Sequence, residues 1–164
     1  MKRWIETIWR IALLRAGPQD LPAGSVSPAL ALLAYIGIVV ASRAAEGTAV
    51  DAIDLSVSLL LPLALAAGLL WQQGRWARFN QTIGALFGTG ALISLINVPL
   101  WLSSATPVPA PLVLLALIGL FWSLAVDGHI WRHALECSFG VGVIIAVPIL
   151  IIQLFVFQAL GATA

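Results

Sequence analysis

The side chains best placed to do chemistry lie in DGHIWRHALE, residues 127–136. His129 and His133 are four apart and Glu136 follows three later. On a helix, that spacing puts all three on one face. Two imidazoles a turn apart can chelate a metal, with a carboxylate one turn on as a third ligand. The same pair could titrate near neutral pH. The order is not that of the zinc proteases, in which Glu directly follows the first His. Asp127 can cap the start of such a helix. A plainer reading makes 128–136 a short amphipathic helix at the cytoplasmic surface. Its polar face would then meet water, Trp131 would anchor in lipid headgroups, and Arg132 would pair with Glu136.

A second group of polar residues lies within apolar sequence. Asp51 and Asp54 are three apart at the start of one apolar segment. Asp51 reads as a helix cap, whereas Asp54 is a candidate for an ion or proton role, because carboxylates within membranes are seldom idle. Asn97 beside Pro99 interrupts a second segment, and Gln153 follows Pro148 in the last. Asp54, Asn97 and Gln153 could line a path for an ion or small solute. The alternative for the amides is hydrogen bonding between neighbouring helices. There is no paired nucleophile and base, phosphate loop or dinucleotide fingerprint. The expectation is therefore a protein that is not an enzyme and uses no cofactor.

The elements that must hold these residues follow from composition. Of 164 residues, 61% are hydrophobic and 9% charged, against about a quarter charged in soluble domains. A soluble fold this small could not bury that much apolar surface, so lipid is the expected solvent. A net charge of +1 offers nothing to nucleic acid, and the single cysteine, Cys137, excludes an internal disulfide. A span needs about 20 apolar residues. Five are expected, at about 26–44, 51–71, 80–102, 109–126 and 138–160. The break between the third and fourth is SSATPVPAP, residues 103–111, whose prolines cannot sit inside a helix. The fold class is thus all-α, a membrane bundle of five transmembrane helices forming one domain over 26–160.

Residues 1–17 are expected to form an amphipathic interfacial helix ahead of the bundle. Trp4, Ile5, Ile8, Ile11 and Ala12 share one side of it; Lys2, Arg3, Glu6, Thr7 and Arg10 share the other. Trp4 and Trp9 would anchor it in the membrane surface, and Gly17-Pro18 would stop it. Glu6, Arg10 and Arg15 interrupt any signal-peptide core, so the segment reads as retained. With the N-terminus cytoplasmic, Lys2, Arg3, Arg10, Arg15, Arg75, Arg78 and Arg132 lie inside and Arg43 alone lies outside. That asymmetry obeys the positive-inside rule and sets the C-terminus outside. Abundant Ala and Arg suggest a bacterial source, hence a bacterial inner membrane. Gly84 and Gly88 in GALFG, and Gly142 with Ala146, are small residues four apart that let helix backbones approach.

The layout resembles the Yip family: a cytoplasmic N-terminal segment, five close-packed spans and short loops. The resemblance covers the whole bundle and is architectural. Eukaryotic members of that family interact with Rab GTPases at transport vesicles. Those members carry Asp-Leu-Tyr-Gly-Pro before the first span. Here GPQDLP, residues 17–22, has the two pairs in the other order and no Tyr, so no site residue carries over. The chain is also similar to small uncharacterised bacterial membrane proteins with such a turn. The leading expectation is a membrane adaptor, scaffold or assembly partner. It would meet the lipid bilayer and a membrane or cytoplasmic protein through 2–15 and 128–136, with self-association open. The alternative is a small transporter, channel or transporter subunit.

Overall fold

A computed structural model describes residues 2–103 and 107–161, with the side chains of Leu100, Trp101 and Gly161 left aside. Residues 104–106, in the middle of the SSATPVPAP break, and the last three residues lie outside the described set. The described chain is all-helical. The helices are α1 (Lys2–Ala12), α2 (Val26–Ala45), α3 (Ala52–Gln72), α4 (Phe79–Ser94), α5 (Val98–Trp101), α6 (Ala110–Leu135) and α7 (Phe139–Gly161). Five stretches are long and apolar enough to cross a membrane: α2, α3, Trp76–Asn97, α6 and Phe139–Leu160. The outward faces carry large apolar side chains such as Leu33, Leu60, Ile144 and Phe155. This is compatible with an integral membrane protein.

Two sequence boundaries are corrected. The third span is not one helix to residue 102. Pro99 has no N–H to give the carbonyl of Leu95, and the chain tightens there into a 3-10 turn, Leu95–Asn97, before the short α5. The fourth span does not end at 126. It runs unbroken through DGHIWRHAL, so the expected separate connector is the last third of a 26-residue helix.

Helix α4 is the centre of the bundle, packed by α1, α2, α3 and α6. Its small residues make this close packing feasible. A Cβ on Gly84 would sit 2.9 Å from Ser27 Oγ of α2, and one on Gly88 2.6 Å from Ile8 Cδ1 of α1. Thr82 and Thr89 are fully buried but return their hydroxyl protons to the carbonyls of Arg78 and Ala85. Burial therefore leaves no unpaired hydroxyl there. The α6–α7 pair is closer still. A Cβ on Gly142 would lie 2.1 Å from the carbonyl oxygen of Gly128. All four glycine and alanine positions singled out for packing, Gly84, Gly88, Gly142 and Ala146, thus face neighbouring helices of the same chain or lie buried.

Helix α1 ends before Gly17-Pro18. Leu14 takes a left-handed conformation (φ 60°). Its N–H bonds the carbonyl of Ile11, and the next N–H, of Arg15, that of Arg10. This is the Schellman stop, here without glycine. The segment then folds back under the bundle through a 3-10 turn, Pro18–Asp20, in which Asp20 accepts a 2.8 Å bond from the Gly17 N–H.

Candidate functional site

The last turns of α6 are a clamp for this N-terminal segment. His129 is buried, and its Nε2 lies 2.9 Å from the carbonyl oxygen of Ala16. A carbonyl only accepts, so Nε2 carries the proton and donates it. His133 lies edge-on to His129, ring centroids 4.6 Å apart, with its Nδ1 3.4 Å from the Gln19 amide nitrogen. Two turns before His129, the Trp122 indole donates to the carbonyl of Ala12 at 3.0 Å. Both imidazoles thus face the 12–19 segment.

Glu136 does not join them, and the expected triad is corrected on this point. It is the left-handed residue (φ 55°) that ends α6, which swings its side chain off the histidine face. Its carboxylate is held by Arg75 and Arg78 from the α3–α4 connection. Arg78 also donates to the carbonyls of His133 at 2.6 Å and Ala134 at 3.3 Å, capping the end of α6. Among the described residues, no three His, Cys, Asp or Glu side chains converge on a metal position.

The two guanidiniums hold the Glu136 carboxyl below its usual range, Arg75 first and Arg78 second. A depressed folded pKa contributes stability that is present above the unfolded value of about 4.3 and is lost as pH falls through the folded value. The Glu136→Gln variant is therefore expected to melt below the wild type at pH 7. The two melting curves should converge as pH drops below about 4. A gap in melting temperature that persists unchanged in acid would count against the ion-pair account.

Two other expectations are corrected. Asp54 does not face the interior with Asn97 and Gln153. It bonds Arg43 at 3.1 Å across the α2–α3 turn, and Arg43 reaches Glu46 as well. Asp51 caps α3 through the N–H of Ile53 at 2.8 Å, as read. Of the three tryptophans assigned to anchoring, Trp9 is 55% exposed, but Trp131 is only 2% exposed. Trp4 donates its indole N–H to Ser27 at 3.0 Å and packs with the core. The side of α1 carrying Ile8, Ile11 and Ala12 is likewise buried on the bundle.

Asn97 and Gln153 do line one half-open cavity, of about 310 Å³, among the helices of the bundle. It is bounded by α2 at Tyr35, α3 at Pro62, the break after α4, one face of α6 and the middle of α7. On α6, Ala116, Gly119 or Leu120, Ser123, Asp127 and Trp131 face it, spaced three or four apart. The ionisable group missed in the sequence is Asp127. Ending the fourth span at 126 placed it outside the membrane as a cap. In an unbroken α6 it lies eight residues, about 12 Å, inside the helix end. The Asp127 side chain has no hydrogen-bond or ion-pair partner among the described residues, and Tyr35 is within its electrostatic reach. The Oδ1 of Asn97 is buried without a partner among the described residues. Among the described residues, no basic side chain lines the cavity. The arrangement can hold a small molecule between aromatic walls (Tyr35, Phe87, Trp131), with one acid and one open acceptor.

Fold and cavity together define a class: an all-helical bundle with five helices long and apolar enough to cross a membrane, and among them a half-open, largely apolar cavity carrying a few polar groups. No known protein family matches the chain, and neither a curated protein nor a solved structure is significantly similar to it.

Proposed function

We propose that this is a polytopic membrane protein that takes a small solute into its central cavity and gives it passage across the bilayer, alone or as part of a transporter. The observation that carries the reading is a pair of polar groups facing one cavity: the half-buried Asp127 carboxylate and the Asn97 carbonyl, which is buried without a partner among the described residues. A buried polar group without a partner is unfavourable by about 1–3 kcal/mol. Such groups persist in membranes where a solute or water completes them. The volume falls at the small end of ligand sites. In this reading the end carrying Arg75, Arg78 and Arg132 is cytoplasmic, in a bacterial inner membrane. Helix α1 then lies along that surface with Trp9 and Ile5 toward lipid.

Access to the cavity tests it. In a Cys137→Ser background, Ser123→Cys places one thiol on the cavity wall. Membrane-impermeant, water-soluble thiol reagents applied to right-side-out and to inside-out vesicles should both label it. Absence of labelling from either face would remove the passage reading.

An adaptor role, of the kind the Yip-type layout implies, is the second reading. It calls for docking by 2–15 and 128–136. Gly128, His129, Ile130, Trp131 and Ala134 are buried in the bundle, which leaves α1 as the surface that favours it. The supporting measurement is recovery of one specific partner in mild detergent that is lost on Trp9→Ala with Ile5→Ala.

A further inference from the structure

The cavity's chemistry also names the kind of solute, an inference that rests on the passage reading above. We infer that the chamber selects a small organic cation, an ammonium ion whose charged head sits at Asp127 and whose body reaches toward Asn97. Three observations converge. First, among the described residues Asp127 is the one carboxylate on the cavity wall, and no Lys, Arg or His lines the cavity to neutralise it. A positive guest supplies the missing counter-charge, whereas an anion would be repelled by the carboxylate.

Second, the wall around the acid is aromatic. Tyr35 and Phe87 meet edge to face at 5.1 Å, and Trp131 lies one turn from Asp127 on the same face of α6. Aromatic faces attract ammonium groups, most strongly where water is excluded. A hard metal cation asks for six or more oxygens. One carboxylate and no metal cluster among the described residues do not provide that shell.

Third, Asn97 lies against Gly119, with its Oδ1 3.6 Å from where a Cβ of that residue would be. Gly119 and Asp127 are eight residues apart, so the open acceptor and the acid are separated by about 12 Å along α6. The chamber is therefore elongated, with a charge-accepting end and a donor-accepting end. An organic ammonium with an apolar body and a hydrogen-bond donor at its tail matches both ends.

Labelling rates at Ser123→Cys in the Cys137→Ser background provide the test. Three methanethiosulfonates of similar size are compared: trimethylammonioethyl, sulfonatoethyl and a neutral analogue. Each rate is normalised to that with a free thiol in solution. The cationic reagent should react at least about tenfold faster than the anionic one, as focusing by a single-sign cleft allows. Asp127→Asn should bring the ratio near one, and tetramethylammonium should slow the cationic reagent in the Asp127 protein only. Equal rates for all three reagents, or a preference that survives Asp127→Asn, overturns the cation assignment while the passage reading stands. No labelling by any of them overturns the passage reading itself.

Discussion

Replacing Gly142 by alanine is expected to lower the melting temperature in detergent by several degrees, on the order of 5–10 °C. The new methyl would sit 2.1 Å from the Gly128 carbonyl oxygen and 3.0 Å from the Arg132 amide nitrogen. Both are backbone atoms of α6 and cannot rotate away. The two helices must part, and with them the cavity wall and the packing of Val126 and Ile130. Overpacking of this kind destabilises by about 1–3 kcal/mol, and a backbone obstacle belongs at the upper end. Gly88→Ala makes the contrast. Its methyl would meet the Cδ1 of Ile8 at 2.6 Å, the far end of a flexible side chain. A rotamer change relieves that contact, so its effect should be under about 1 kcal/mol. Similar losses at both positions would show that the α6–α7 crossing is not as close as described.

Among the tryptophans whose side chains are described, Trp131→Ala is expected to be the most destabilising truncation, by about 3–5 kcal/mol. The indole is 2% exposed and packs with Leu70, Phe87, Ala134 and Ala146. Its removal opens a void at the inner end of the cavity. Trp9→Ala removes a 55% exposed ring and should shift folding stability by under about 0.5 kcal/mol. Urea or thermal unfolding in one detergent measures both. A small effect at Trp131, equal to that at Trp9, would return it to the membrane surface.

These two residues show where sequence reasoning held and where it ran out. The ends of the spans were legible because Gly, Pro and charge punctuate them: Val26–Ala45 and Ala52–Gln72 fall within a residue of the expected bounds. The small residues of α4 and α7 were legible as well, because four-residue spacing has one physical use in apolar helices. The end of α6 was not. Asp127 and Gly128 carry the marks of a helix boundary, and only tertiary packing overrides them. Gly128 is small because Val143 crosses there, and Asp127 faces the chamber rather than water. With that boundary set too early, Trp131 reads as an anchor and Asp127 as a cap. Asp54 was misplaced for a related reason. Position along a span does not say which side a residue faces, and Arg43, eleven residues away on α2, claims it. The histidines were correctly placed on one face, but what that face meets, the carbonyl of Ala16, is 113 residues away in sequence.

The account stands on Asp127 as the group that receives a cationic solute in the central cavity. The most direct test is uptake of isotope-labelled tetramethylammonium into proteoliposomes with an inside-negative potential, for the wild type and Asp127→Asn at equal protein. Saturable uptake by the wild type, reduced to the protein-free background in the variant, is the predicted result. Uptake that is equal in the two proteins, or absent from both, would contradict it.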